Sequence, residues 1–371
     1  MGNVRVLMIV ANLRVANGVS SFVMNYYRKV KKEHICIDFA LYSDIPSPYY
    51  DEIQANGGKI TILPSIKHLK KHMSACQKLL NDGNYDVIHN NILHISIPMM
   101  WCAKQANIPV RILHSHSSKL GGTPKKEVRN KAFLPILRGL ATDYTACSKL
   151  AGKAMFGERS FAVIPNVIAA DNYRFCAENR ENVRKQMNAE GKCIIGSVGR
   201  LAEEKNPFFA VDVFKKLLEQ VPNAEYWWIG SGNLDQRVKE YVEAIGMLDH
   251  IKLLGSRNDV IDLYQAMDCF FLPSLFEGLP VTGVEAQAMG LPMVVSDTVT
   301  DEMVYTDLVD YVSLNAPADE WAAHLKRALN RRDNRESYSE QLKQSIFSDS
   351  GCGEKLTDIY EELLQRHGRR L

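Results

Sequence analysis

The sequence predicts an α/β protein built of two doubly wound, Rossmann-like halves facing a central cleft. Strand and helix signals alternate along the chain, and the alternation runs through twice, which is the pattern of parallel sheets joined by crossover helices. The 371 residues are enough for two domains of about 150–200 residues each. A content of 46% hydrophobic and 24% charged residues is ordinary for a soluble globular protein.

In the first half, apolar runs at Val4–Val10, Ile35–Tyr42, Lys59–Leu63, Val87–His89, Val110–His114, Asp143–Ala146 and Phe161–Ile164 read as strands. Helical patterns such as Val19–Val30 and Lys67–Leu80 lie between them. The second half repeats the scheme from Ile194 to Val312, with strands at Glu225–Ile229, Ile251–Leu254, Cys269–Leu272 and Met293–Ser296. Helices near Tyr338–Phe347 and Glu354–Arg366 end the chain. The expected domains are 1–170 and 171–347, joined near the ordered Pro165-Asn166-Val167-Ile168 segment.

Residues 276–290, Phe-Glu-Gly-Leu-Pro-Val-Thr-Gly-Val-Glu-Ala-Gln-Ala-Met-Gly, are the most informative about function. They place Glu277 in a glycine/proline loop and Glu285 in the first turn of a short helix that Gly290 and Pro292 stop. A loop leaving the carboxyl end of a strand and feeding a helix is where open α/β sheets bind ligands. Free N–H groups and the positive end of the helix dipole suit an anion there, and two carboxylates suit hydroxyls. The combination fits a ligand that is part phosphate and part sugar. A structural alternative stays open, because Thr282-x-x-Glu285 also spells a capping box.

A second segment, residues 193–209, ends an apolar run at Gly199 and opens a helix at Asn206-Pro207, read as N-cap and first helical residue. Arg200 and Lys205 thus flank a helix N-terminus, where the dipole disfavours cations. An anion between them would explain both; Glu203 and Glu204 could instead neutralise them.

Gly230-Ser231-Gly232 resembles a dinucleotide fingerprint only in part, since Asp235 takes the place of its last glycine. Asn17-Gly18-Val19-Ser20, after the first strand, fits either a turn or a binding loop. His114 and His116 follow an apolar strand, and strand alternation points both to one side, towards the cleft. The eight cysteines are scattered without any Cys-x-x-Cys, so neither a disulfide framework nor a zinc site is indicated and a reducing cytoplasm is expected. No stretch approaches the ~20 apolar residues that span a bilayer. The N-terminal apolar run is too short for a signal peptide and reads as the first strand.

Charge is divided. Residues 1–170 hold 22 Lys/Arg against 10 Asp/Glu, whereas 171–371 hold 23 against 33. Two basic stretches with apolar interleaving, 67–78 and 119–138, point to an anionic membrane surface as partner. No nucleic-acid-binding motif is present.

Gly199-Arg200-Leu201 with Lys205-Asn206, then Ile229-Gly230-Ser231-Gly232, Leu254-Gly255-Ser256-Arg257 and Glu277-x7-Glu285, resemble GT-B glycosyltransferases in order and spacing. The likeness is to the retaining family 4 type, particularly bacterial enzymes of capsule and exopolysaccharide assembly. It covers nearly the whole chain, because Val163-Ile-Pro-Asn-Val-Ile matches the family's domain-border motif.

The resemblance implies a donor nucleotide sugar, in the first place a UDP-sugar, held by the second domain. It implies an acceptor, glycan or lipid-linked, at the first, and a last helix, 348–371, that crosses back to the first domain. Arg200 and Lys205 would neutralise the diphosphate, with Gly199 and Gly230 lining it. Glu285 would bind ribose hydroxyls and Arg257 would lie near the base. Glu277 would hold sugar hydroxyls with the N–H groups of Gly278 and Leu279; Pro280 lacks the further donor seen in some relatives. Gly18 would contact donor or acceptor, although Asn17 stands where the family usually has a first glycine. His116, with His114 as runner-up, matches the active-site histidine, without the Asp that follows it in some relatives. No metal or other cofactor is implied. Two further readings remain, a sugar-nucleotide 2-epimerase of the same fold and a non-enzymatic membrane partner that binds nucleotide sugar.

Overall fold

The computed structural model describes residues 4–369, apart from 16, 32, 122, 332 and 333. The chain divides into two compact units, residues 1–167 with 349–371, and residues 168–348.

The first unit is a seven-stranded sheet with all strands parallel: β1 (Val4–Val10), β2 (Ile35–Leu41), β3 (Ile60–Ile62), β4 (Val87–Asn90), β5 (Val110–Ser115), β6 (Asp143–Ala146) and β7 (Ala162–Val163). Their order is β3-β2-β1-β4-β5-β6-β7. The second unit holds β8 (Cys193–Val198), β9 (Ala224–Ile229), β10 (Ile251–Gly255), β11 (Cys269–Leu272), β12 (Met293–Ser296) and β13 (Val309–Val312). These are again all parallel, in the order β10-β9-β8-β11-β12-β13. Both orders are doubly wound. In each, the direction of travel reverses beside the first strand, between β1 and β4 and between β8 and β11, and leaves a crevice at the strands' carboxyl ends.

Burial explains why these segments form strands. Val6, Leu7, Met8, Ile9 and Val10 are all buried, as are Cys269–Leu272 and Met293–Val295. A continuous apolar run is required of a strand covered on both faces by helices. Every predicted strand is present, with ends shifted by a few residues. Helix Lys67–Leu80 runs instead over Leu69–Gly83, and Tyr338–Phe347 stops at Gln344 because Ser345 is extended.

The last helix, Cys352–Arg366, belongs to the first unit and packs on helix Gly18–Lys29. Cys352, Leu356, Tyr360, Leu363 and Leu364 enter that unit's apolar cluster with Phe22 and Val23. The approach is close: a Cβ on Gly353 would lie 2.0 Å from the Lys29 carbonyl oxygen, so only glycine fits. Helix Gly18–Lys29 is tied further to the chain's border segment, with Asn25 Nδ2 donating to Val167 O at 2.6 Å and Tyr26 Oη to Pro165 O at 2.8 Å.

Candidate functional site

The sequence-predicted residues fall into two groups, one at the switch point of each sheet. In the second unit, the loop after β8 carries Gly199, Arg200 and Lys205, and the loop after β11 carries Glu277, Gly278 and Leu279. Leu275 N donates to Glu204 O at 2.8 Å and joins the two loops. Across them, Lys205 Nζ meets Glu277 Oε1 at 2.5 Å, with side-chain exposures of only 16% and 14%. Ser274 Oγ donates to the same oxygen at 2.7 Å. So low an exposure makes this a strong mutual attraction, because each charge lacks much of its water. Arg200 differs. Its side chain is 66% exposed and rests on Glu204 at 2.6 Å, a pair that solvent screens. The carboxylate that offsets Arg200 is thus Glu204, as the structural alternative allowed, whereas the partner of Lys205 is Glu277.

Gly230 closes this corner. Its φ is +131°, its N–H donates to Gly255 O at 2.8 Å, and a Cβ there would strike Gly199 O at 2.1 Å. The ends of β8, β9 and β10 can therefore converge only with glycine at this position. Arg257, beyond β10, is held by Asp259 through Nε–Oδ1 at 2.7 Å and Nη2–Oδ2 at 2.5 Å.

Two local expectations need correcting. The helix of Glu285 begins at Val281, which puts Thr282 inside it rather than at its N-cap, so Glu285 lies in its second turn and no capping box forms. Pro280 occupies the N-cap position, and the buried Thr282 hydroxyl has no partner among the described residues. Glu285 instead accepts from Tyr173 Oη at 2.6 Å and Tyr264 Oη at 2.9 Å. Burial raises its pKa, and the two phenolic donors pull against that shift. Each carboxylate oxygen still has a free lone pair for a ligand hydroxyl. Asn206 precedes the helix Pro207–Leu218 as expected, but in a left-handed conformation (φ 54°), and its side chain caps nothing. A short 3-10 turn over Glu203–Lys205 takes up the space.

In the first unit, Asn17 rather than a second glycine caps the helix after β1, accepting from Val19 N and Ser20 N at 3.0 and 3.3 Å. Gly18 is its first helical residue, and a Cβ there would meet nothing within 4 Å. His114 and His116 do project to one side: their rings stack with centroids 4.3 Å apart. Phe22 packs on both, at 4.7 and 5.0 Å. His116 Nε2 bonds Asn91 Oδ1 at 2.8 Å. Since the Asn91 amide group donates to the carbonyls of Ile9 and His89, its oxygen accepts, and His116 carries its proton on Nε2. His89, which no motif marks, bridges Tyr360 Oη (2.7 Å) and His114 Nδ1 (3.1 Å) with its ring. Tyr173 and Tyr264 were equally unforeseen, since a tyrosine in an apolar pattern reads as core.

The chain's relatives settle its family. Residues 178–345 match the model of glycosyl transferases group 1. Over 356 residues the chain is 30% identical to EpsF of Bacillus subtilis, whose assignment as a glycosyltransferase is itself provisional, covering 92% of each chain. This chain is a group 1 glycosyl transferase. It is also 28% identical, over 62% of each chain, to the Escherichia coli UDP-Gal:α-D-GlcNAc-diphosphoundecaprenol α-1,3-galactosyltransferase. Among solved structures, Anabaena HepE, crystallised with UDP and glucose, superposes with a TM-score of 0.80 at 14% identity, covering 97% of this chain and all of that one. The glycosyltransferase has the GT-B fold.

Burial keeps His89, His114 and His116 of the glycosyltransferase neutral. It lowers His89 to about 3, helped by the charge His116 would carry, lowers His116 to about 3, and takes His114 well below its ordinary value. An unfolded chain therefore binds more protons below pH 6.5, and stability falls as pH falls. Urea titrations of the intact protein should show unfolding free energy dropping from pH 6.5 towards 4.5, by up to about 1.4 kcal/mol per pH unit for each histidine. Replacing His89 with Phe should flatten that slope.

Proposed function

We propose that this glycosyltransferase moves a sugar, with retention, from a UDP-sugar to a glycan or lipid-linked acceptor in cell-surface polysaccharide synthesis. The observation that carries the proposal is the Lys205–Glu277 pair at the switch point, with Arg200 beside it. Without ligand, each cation has a carboxylate neighbour. A diphosphate would take over both cations and release Glu277 to accept from sugar hydroxyls, while Glu285 receives the ribose. Charge builds on the leaving nucleoside diphosphate as the glycosidic bond breaks, so preorganised cations stabilise the transition state more than the ground state. In the front-face reaction the acceptor oxygen bonds to the anomeric carbon on the side the diphosphate leaves. The acceptor proton passes to the departing phosphate oxygen. The E. coli relative's undecaprenyl diphosphate acceptor and HepE's UDP support this choice of acceptor and donor.

The donor assignment is tested by calorimetry with UDP. Charge-assisted hydrogen bonds contribute roughly 1.5–3 kcal/mol each. Arg200→Ala with Lys205→Ala should therefore weaken UDP by about two orders of magnitude or more, with the fold intact. Unchanged affinity would defeat the assignment. Sugar transfer should also persist in excess chelator, because two side-chain cations already serve the leaving group. Loss of turnover restored by magnesium or manganese would contradict it.

The proposal includes a peripheral site on the inner face of the plasma membrane. Helix Pro124–Leu140 leaves Val128, Phe133 and Ile136 exposed alongside Lys125, Lys126, Arg129 and Lys131. Helix Ile97–Gln105 packs beside it and exposes Trp101. Among the described residues no helix is long and apolar enough to cross a membrane. Each basic side chain near an anionic surface contributes about 1 kcal/mol, so adsorption should be reversible and lost near molar salt. The protein should sediment with anionic but not neutral vesicles. Changing those four basic residues to Glu should abolish this while sparing UDP binding.

A further inference from the structure

The two carboxylates of the second unit's crevice are held in different ways. Glu277 faces a cation, Lys205. Among the described residues no cationic side chain pairs with Glu285, and its oxygens each accept from a different tyrosine. Tyr173 Oη lies 2.6 Å from Oε1 and Tyr264 Oη 2.9 Å from Oε2. Both phenols donate, since an ionised carboxylate only accepts. Burial and the neighbouring Glu285 charge push the Tyr264 phenol well above its ordinary value, so its proton stays in place.

The tyrosines come from separate elements that the surrounding structure locks together. Tyr264 lies in helix Val260–Ala266, fully buried, its ring centroid 5.8 Å from that of Phe270. Tyr173 follows the short turn Ala170–Asn172. Gln265, next to Tyr264 and 3% exposed, grips the segment after Tyr173 with both ends of its amide. Its Nε2 donates to Arg174 O at 2.9 Å and its Oε1 accepts from Cys176 N at 3.0 Å. Arg335 adds a second tie. Its guanidinium lies 4.1 Å from the ring centroid of Phe175 and donates to Tyr264 O at 3.1 Å. It also donates at 2.9 Å to Met289 O, just past the helix that carries Glu285. The backbone on each side of the carboxylate is thus fixed, and each phenol reaches it from a set position.

A carboxylate has about four acceptor positions, two on each oxygen. The tyrosines fill one on each and leave one on each, side by side. Glu285 keeps part of its surface accessible to a ligand.

We propose that Tyr173 and Tyr264 are positioning residues that make Glu285 a reader of vicinal diols, so that the enzyme takes ribonucleoside diphosphate sugars and discriminates against their 2′-deoxy counterparts. Two adjacent hydroxyls each donate to one oxygen and complete the carboxylate. A ligand with only one leaves a position unmet on a partly desolvated anion, and a site built to bond a hydroxyl rejects the analogue that lacks it. With no cation beside it, Glu285 repels phosphate and is reserved for neutral donors. That the diol belongs to a ribose rests on the donor reading above.

The test is calorimetry of the full chain with UDP and with 2′-deoxy-UDP, from about pH 5 to about pH 8. The wild type should bind UDP about tenfold or more tightly, because one charge-assisted hydrogen bond goes with the 2′-hydroxyl. Tyr264→Phe retains the ring and should bring that ratio down towards one. It also takes a donor from the carboxylate, whose pKa burial already raises, so the pKa climbs further. Hydroxyl donors favour the ionised form, so UDP affinity falls as pH drops through the Glu285 pKa of the free protein. The pH of that fall should therefore move up in the variant, and the ionisation of UDP itself, common to both proteins, cancels in the comparison. Tyr173→Phe, on a different element, should act in the same direction and stands in if the other variant does not fold. Equal binding of the two nucleotides by the wild type overturns the proposal and leaves the donor reading standing. So do variants with unchanged ratio and pH profile, or variants that lose both nucleotides equally at every pH, the mark of a merely structural role. Failure of UDP to bind the wild type would defeat the donor reading, and this proposal with it.

Discussion

Everything chemical in this glycosyltransferase depends on the reversal of strand order in its two parallel sheets. Crossover connections of one hand must place successive strands on one side of the first strand and then, after the reversal, on the other. The loops leaving the two central strands therefore diverge, and the space between them cannot be filled by either. In the second unit those loops carry Arg200, Lys205 and Glu277. In the first they carry Gly18, Asn91 and, one strand further, His116. Within each unit these residues lie far apart in sequence, and the strand order brings their loops to the same end of the sheet.

The two crevices use different electrostatics. The second unit presents charge at its crevice, and the cost of holding Lys205 and Glu277 largely out of water is offset by placing them 2.5 Å apart. On the proposed function, an arriving diphosphate would take the place of Glu277 beside Lys205, so neither buried charge would stand alone. The first unit presents neutral imidazoles at its crevice. Stacking His114 on His116 at 4.3 Å would be strongly unfavourable if both were protonated, and burial keeps them uncharged. Such a cluster offers directed donors and acceptors rather than a field.

How far the sequence disclosed this arrangement depends on the range of the interaction. Strands covered on both faces, such as Cys269–Leu272, announce themselves by unbroken apolar runs, and Gly230 by its place in the Gly230-Ser231-Gly232 motif, whereas its backbone conformation is a finding of the structure. That both segments carry the charged residues of the corner was also legible, but the pairing of Lys205 with Glu277 was not, since Glu203 and Glu204 stood nearer in sequence as its neutralisers. What failed was local chemistry with a plausible alternative. Thr282 and Glu285 have capping-box spacing, but the N-cap is Pro280, two residues before Thr282, and Glu285 turns to face Tyr173 and Tyr264. The side-chain bond between His89 and Tyr360 spans 271 residues and has no sequence signal at all.

That last contact gives the final helix a role beyond covering the sheet. Its apolar side could be supplied by any amphipathic segment, but Gly353 permits an approach to Lys29 that a larger residue would prevent. The close fit brings Tyr360 against His89, fully buried, where a phenylalanine would pack equally well. The hydroxyl therefore matters for hydrogen bonding rather than for volume. An unpaired imidazole nitrogen at His89 would cost about 1–3 kcal/mol, so the last helix and the histidine cluster each depend on the other being in place. The last helix is thereby linked to the histidine cluster, in which His114 Nε2 has no partner among the described residues.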